Sequence, residues 1–264
     1  MSRARKPGNE RGFTFIETMI AAAVFIVISG SMFGLLNLSL GRYQTEMQVL
    51  NSFEQARLGL DQMVRDIGDS GYPPQSEFAV TPVAPPFGAI TPVAWSPAYP
   101  AAPCLIGTAG GGTCATPSDF DMILEENNDG SGLKWIRYQL QGTVLFRGEV
   151  YKSAGADPAT ATAAVMFPYV VGVMNNASNS QIARIRAAYP SMFPAGNPQP
   201  IFQFNCDTPT APLLCQNAGV NNLPANVRDV EITLIVKTLQ NDAQTGAPRL
   251  VELNGRGHRL NPNQ

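Results

Sequence analysis

From Phe13 to Leu40 the chain is apolar at almost every position and carries one charge, Glu17. A bilayer-crossing helix needs about 20 mostly apolar residues, so the run predicts a single spanning helix over 13–40. Beyond Leu40 the pattern becomes periodic. Met47, Leu50, Phe53, Ala56, Leu60, Met63, Val64 and Ile67 recur at spacings of mostly three or four. Gln44, Glu46, Gln48, Glu54, Arg57, Asp61, Arg65 and Asp66 occupy mostly other positions. This is a helix with an apolar stripe, and Gly71-Tyr72-Pro73-Pro74 stops it. A continuous helix from Phe13 to about Ser70 would be about 87 Å long. Its second half would pack the stripe against a globular head.

The head, residues 71–264, reads as β-rich. Prolines at 73, 74, 82, 85, 86, 92, 97, 100, 103 and 117 exclude a long helix from 72–118 and make that stretch loop-like, with room for a short strand such as Phe78–Val80. Phe120–Leu124 and Leu133–Leu140 flank an Asn/Asp/Gly/Ser turn and predict a hairpin. Gly142–Tyr151, Ala164–Met174, Ile201–Phe204 and Val227–Thr238 are further strand candidates. In the last of these Val230, Ile232, Leu234 and Val236 share one face, and Arg249–Leu253 would close a final hairpin. A long helix followed by mainly antiparallel strands is an α+β fold.

Composition and charge place the chain. Charged residues are only 14%, and 22 Pro and 24 Gly accompany them, against roughly 25% charged in an average soluble domain; a neutral, loop-rich surface suits an extracytoplasmic protein. The net charge of −2 gives no nucleic-acid footprint. Residues 1–12 form a basic leader, with Arg3, Arg5, Lys6 and Arg11 against Glu10; the rest holds 14 Lys+Arg and 19 Asp+Glu. A basic head before an apolar run is the positive-inside arrangement. It predicts a single-pass inner-membrane protein with its C-terminal head in the periplasm. The run is too long for an ordinary secretory signal, whose apolar region is about 7–15 residues.

Gly12-Phe13-Thr14-Phe15-Ile16-Glu17, behind the leader and ahead of the apolar helix, resembles the type IV prepilin processing motif. The resemblance covers about residues 1–70. It implies cleavage between Gly12 and Phe13 by a prepilin peptidase, N-methylation of Phe13, and a role for Glu17 in meeting the N-terminal amine of a neighbouring subunit. The chemistry agrees: a carboxylate in a membrane helix costs roughly 2.5–3.5 kcal/mol at the centre and less near an end, so it calls for a partner. Where major pilins often carry Pro, this chain has Gly34, with Gly30 one turn earlier, a place where the helix could melt on assembly. The segment from Asp129-Gly130 through Tyr138 to Leu145-Phe146-Arg147 is similar to a hairpin of the PilW branch of minor pilins and of pseudopilin J of type II secretion.

The four cysteines, Cys104, Cys114, Cys206 and Cys215, allow three pairings. Their spacing fits zinc poorly, and an oxidising periplasm favours disulfides. Cys104–Cys114 and Cys206–Cys215 are expected, with the crossed pairings left open. No catalytic residue, cofactor or metal site is expected. The single histidine, His258, reads as solvated near a polar terminus. Glu125–Gly130 partly mimics a calcium loop, but position 12 of such a loop would be Ile136, which excludes an EF-hand; a simple hairpin turn is expected there, with a looser calcium turn left open.

These features favour a non-enzymatic minor type IV pilin-like subunit, carried from the inner membrane to a pilus at the cell surface. Its expected partners are the prepilin peptidase/methylase, other major and minor pilins, the inner-membrane assembly platform and the membrane itself. Two alternatives stand: a pseudopilin of a type II secretion system, and a filament-tip adhesin or binding module using 72–118.

Overall fold

The computed structural model describes residues 12–71, 93–94, 118–126, 132, 134–151, 164–176, 180–207, 213–215, 226–242 and 245–260. Helix α1 runs unbroken from Phe15 to Asp69, straight through Gly30 and Gly34. Ser70 ends it: its N–H and its hydroxyl both donate to Ile67 O, at 3.2 and 2.7 Å. The helix therefore occupies the span its periodicity predicts, to within two residues at each end.

The head follows as β1 (Val93–Ala94), β2 (Asp121–Glu126), β3 (Lys134–Gln141), β4 (Val144–Tyr151), β5 (Val165–Val171), α2 (Ser180–Ala188), β6 (Phe202–Cys206), β7 (Leu213–Leu214), β8 (Val227–Lys237) and β9 (Leu250–His258). The strands pair antiparallel in two sheets, ordered β1-β2-β3-β4-β5 and β7-β6-β8-β9. An isolated bridge between Val173 and Val236 links them. The architecture is α+β, a long helix on antiparallel sheets. The β3–β4 turn is the two residues Gly142-Thr143, with Gly142 at φ 61°, the left-handed conformation that such tight hairpins require.

One core joins helix and sheets. Ala56, Leu60, Met63 and Ile67 pack with Met122, Leu124, Ile136, Tyr138 and Leu145 of the first sheet and with Val230, Ile232, Leu234 and Leu253 of the second. The alternation of β8 explains its even-numbered apolar face. Ile235 points the other way, into a smaller cluster with Met174, Phe193 and Leu250.

β9 runs alongside α1 at very close range. A Cβ on Gly257 would lie 2.6 Å from Ile67 Cβ, and one on Gly255 would lie 2.7 Å from Leu60 Cδ1. The absent side chains are what let helix and strand touch. The strand itself reaches His258, well past the Leu253 end that its apolar pattern predicts.

The stripe on α1 is shorter than its sequence period. Met47 is 40% exposed and Leu50 is 52% exposed, because the sheets cover the helix only from about Phe53 upward. Conversely Asp66, which the period places among the polar positions, is buried. Helix α2 was not anticipated; its sequence, Ser180 to Ala188, is too short to show a period. The expected strand Phe78–Val80, the Cys104–Cys114 pair, the leader up to Arg11 and the hairpin turn at 127–131 lie outside the described residues.

Candidate functional site

The candidate processing and assembly residues sit at the start of α1. Gly12, Phe13 and Thr14 precede the helix, and Thr14 is its N-cap with φ −76° and ψ 152°. Thr14 and Glu17 form a capping box. The Thr14 N–H and hydroxyl each donate to Glu17 Oε2 at 2.8 Å, and the Glu17 N–H donates to Thr14 Oγ1 at 3.3 Å. The Glu17 carboxylate is thus folded back over the helix N-terminus, where free amides and the helix dipole favour a negative charge. Its partner Thr14 is the second residue after the Gly12-Phe13 bond. Phe13 is 87% exposed, and a Cβ on Gly12 would meet nothing within 4 Å. No described residue requires glycine there.

No described residue covers the apolar half of α1. It contains a window long and apolar enough to cross a membrane, and none of that window is buried within the molecule. Large side chains stand out along it, among them Phe25, Ile26, Val27, Met32, Phe33 and Leu35.

At the other end of the helix a polar cluster fastens α1 to the first sheet. Tyr138 Oη donates to Asp66 Oδ2 at 2.5 Å. Arg147 Nε and Nη2 reach the same oxygen at 3.1 and 3.0 Å, and Gln62 Nε2 donates to Asp66 Oδ1 at 2.6 Å. Arg147 Nη1 also pairs with Glu149 Oε1 at 2.5 Å. The Asp66 side chain is 2% exposed and that of Arg147 is 21% exposed. Burial raises the Tyr138 hydroxyl well above its ordinary pKa and the Asp66 carboxylate adds to the rise, so Tyr138 stays the donor. Burial opposes the charge on Arg147, but Tyr138, Asp66 and Glu149 outweigh it and hold the guanidinium above its ordinary value. Breaking one member of such a buried set typically costs about 3–5 kcal/mol. Arg147 closes the Leu145-Phe146-Arg147 triplet, and Tyr138 lies on the same hairpin. That motif serves as the lock between the helix and the sheet.

Cys206 and Cys215 form a disulfide with an S–S distance of 2.00 Å, tying the end of β6 to the segment after β7. Chain entropy in a loop of this size corresponds to about 2–3 kcal/mol. His258 is exposed, as its sequence reading expects, with 47% of its side chain accessible, but it also has a partner. Its Nδ1 lies 2.5 Å from Asp229 Oδ1, and Arg256 Nη2 bonds Asp229 Oδ2 at 2.5 Å. Strand pairing brings them together, because Asp229 stands directly opposite His258 in the β8–β9 ladder. Burial pushes the Asp229 carboxyl up, but the hydrogen bonds from Arg256 and His258 prevail and hold it below its ordinary value. Among the described residues no group of three or more His, Cys, Asp or Glu is placed to hold a metal ion.

Against protein-family models, residues 7–33 match the prokaryotic N-terminal methylation motif. No curated protein and no solved structure matches the chain. The matched segment contains Gly12, Phe13 and Glu17. The chain therefore carries a type IV prepilin-like signal on its first helix, as the motif reading of the sequence expected.

Proposed function

We propose that this chain is a minor pilin-like subunit, cleaved between Gly12 and Phe13, N-methylated on Phe13, and built into a pilus through α1. The observation that carries the proposal is the uncovered apolar half of α1, most of which lies within the matched methylation motif. Such a surface requires a bilayer before assembly and the helices of other subunits after it. Its partners would be the prepilin peptidase/methylase, other major and minor pilins and the inner-membrane assembly platform, with the head in the periplasm and later at the cell surface. The head is held on α1 by the core around Leu60 and Ile67 and by the Asp66 lock, so movement of the helix into a filament would carry it along. The Tyr138–Arg147 hairpin also supports a second reading, a pseudopilin of a type II secretion system, on the similarity noted above.

Gly12 gives the test. Because a Cβ there meets no described residue within 4 Å, Gly12→Val should leave the head intact and block only recognition by the peptidase. Mass spectrometry of the wild-type chain from sheared filaments should find methylated Phe13 as the first residue, and the variant should accumulate as uncleaved precursor in membranes. Assembled subunits that still begin at Met1 would overturn the proposal.

A further inference from the structure

Below the head, where α1 leaves the cover of the sheets, a cleft of about 250 Å³ opens between the helix and the β8–β9 connection. It is lined by Arg42, Thr45 and Glu46 of α1 and by Asp242 and Arg249 of the connection. The connection is a built structure. The Thr238 N–H donates to Arg249 O, and Thr238 Oγ1 accepts from the Arg249 N–H at 3.1 Å. The Asp242 N–H donates to Ala247 O, and the Gly246 N–H donates to Asp242 O with Gly246 at φ 65°. Gln48 Nε2 donates to Gln240 Oε1 at 2.9 Å and pins it to the helix.

The charges in the cleft are balanced but only half satisfied. Arg249 Nε donates to Asp242 Oδ2 at 2.8 Å, and the Asp242 side chain is 1% exposed. The Arg249 side chain is 50% exposed, and its bond to Asp242 uses Nε. Arg42 and Glu46 stand four residues apart on one helix face. They pair neither with each other nor with any other described residue. Among the described residues the cleft thus offers a guanidinium and a carboxylate without partners and a second guanidinium held in place beside them.

Its position along the helix fixes what faces it. From Thr18 to Gly41 the chain has no charge, a length of about 36 Å at 1.5 Å per residue. That exceeds the roughly 30 Å hydrocarbon core and ends inside the headgroup layer. Arg42 is the first charge beyond it, followed by Tyr43, a residue type enriched at that depth; Tyr43 is 61% exposed. With 13–40 spanning a bilayer, the cleft would lie level with the headgroups of the leaflet on the head's side.

We propose that this cleft binds the headgroup of a zwitterionic aminophospholipid, phosphatidylethanolamine. Arg42 and Arg249 take the phosphate, which suits the planar fork of a guanidinium. Glu46 takes the ammonium, whose three N–H donors a carboxylate can accept. A choline headgroup has no such donor, and an anionic glycerol headgroup would leave Glu46 facing no cation. The contact would orient the head on the membrane before the helix is extracted, and release of the lipid would accompany extraction. The inference rests on the reading of 13–40 as a membrane span.

The experiment uses the full-length chain. Flotation with phospholipid vesicles comes first; a chain that stays at the bottom of the gradient lacks the span, and the proposal falls with that reading. In detergent micelles supplied with phosphatidylethanolamine, phosphatidylcholine or phosphatidylglycerol, native mass spectrometry then counts retained lipid. Phosphatidylethanolamine should be retained about tenfold over the other two, the worth of one charge-assisted contact. Arg42→Gln should lower retention of all three lipids, since the phosphate it takes is common to them. Glu46→Gln should turn it toward phosphatidylglycerol, since the cations are then in excess, an effect that a structural role would not produce. Arg57→Gln, exposed on the part of the helix level with the head, should change nothing. Equal retention of the three lipids by a chain that floats would overturn the proposal. So would a dimer contact through Arg42 and Glu46 that added lipid fails to displace, which would assign the cleft to a second copy of the chain.

Discussion

Asp66 shows how much a single residue contributes here. It sits one position from Ile67 on α1, yet it turns into the head because Tyr138 and Arg147 meet it there. A second carboxylate pays for this arrangement. Glu126, at the end of β2, is 4% exposed. Burial first, then the negative charges of Asp66, Asp69 and Glu149, against the opposing charge of Arg147, together raise its pKa to about 7. Lys134 stands opposite it across the β2–β3 ladder. A carboxyl with a raised folded-state pKa binds its proton more tightly folded than unfolded. Its stabilising contribution is therefore complete below the ordinary value of 4.5 and is lost as pH rises through about 7. The loss between pH 5 and pH 8 should be about 1–2 kcal/mol, after allowance for screening by water. Denaturant unfolding followed by circular dichroism should show the wild-type head less stable at pH 8 than at pH 5, with Glu126→Gln flattening the difference. A variant whose pH dependence matches wild type would remove Glu126 as its source.

At the level of elements, the decisive contact is α1 against β9. Helices and sheets usually meet through side chains, at about 10 Å; here two glycines on one strand let Leu60 and Ile67 descend onto the backbone. The two sites are not equivalent. Opposite Gly255 stand the terminal methyls of Leu60, which can rotate, whereas opposite Gly257 stands the branched Ile67 Cβ at 2.6 Å, which cannot move without the helix. Gly257→Ala should therefore destabilise the head by about 1–3 kcal/mol through overpacking, and Gly255→Ala by less. Thermal melts of both variants test the order. Pairing Gly257→Ala with Ile67→Ala should recover part of the loss, and a double variant no better than the single would place the strain elsewhere.

For the whole molecule the central residue is Glu17, whose carboxylate the capping box already satisfies within its own chain. If filament assembly uses its charge, the carboxylate must exchange Thr14 for the cationic N-terminus of a neighbouring Phe13. Two variants separate these roles. Glu17→Gln keeps the cap, since Gln serves at this position of a capping box, but it removes the charge; Glu17→Val removes both. Both should insert in the membrane and be cleaved, because the leader and the Gly12-Phe13 bond are intact. Both should be depleted from sheared filaments by orders of magnitude, in line with the roughly 3–5 kcal/mol cost of leaving a buried charge unpaired. Quantification in membrane and filament fractions decides between them: incorporation of Glu17→Gln at the wild-type level would mean that only the cap matters.

Much of this protein was legible from local pattern. The length and character of α1, its stop before Gly71, the methylation motif and the strands β2, β3, β4 and β8 all follow from periodicity, charge placement and turn residues that act over a few positions. The Cys206–Cys215 bond joins near neighbours and was expected on the same ground. What only the tertiary structure decided are meetings between residues far apart in the chain. Asp66 is polar by its period and buried by its partners Tyr138 and Arg147. His258 is a lone residue in sequence and half of a pair with Asp229 through strand register. Met47 and Leu50 belong to the stripe but emerge from under the sheets, and Arg42 acquires Asp242 and Arg249 as neighbours only when the β8–β9 connection folds down beside the helix. A one-dimensional pattern records which side of an element is apolar. It does not record how far the opposing surface extends, nor which polar groups the packing brings face to face.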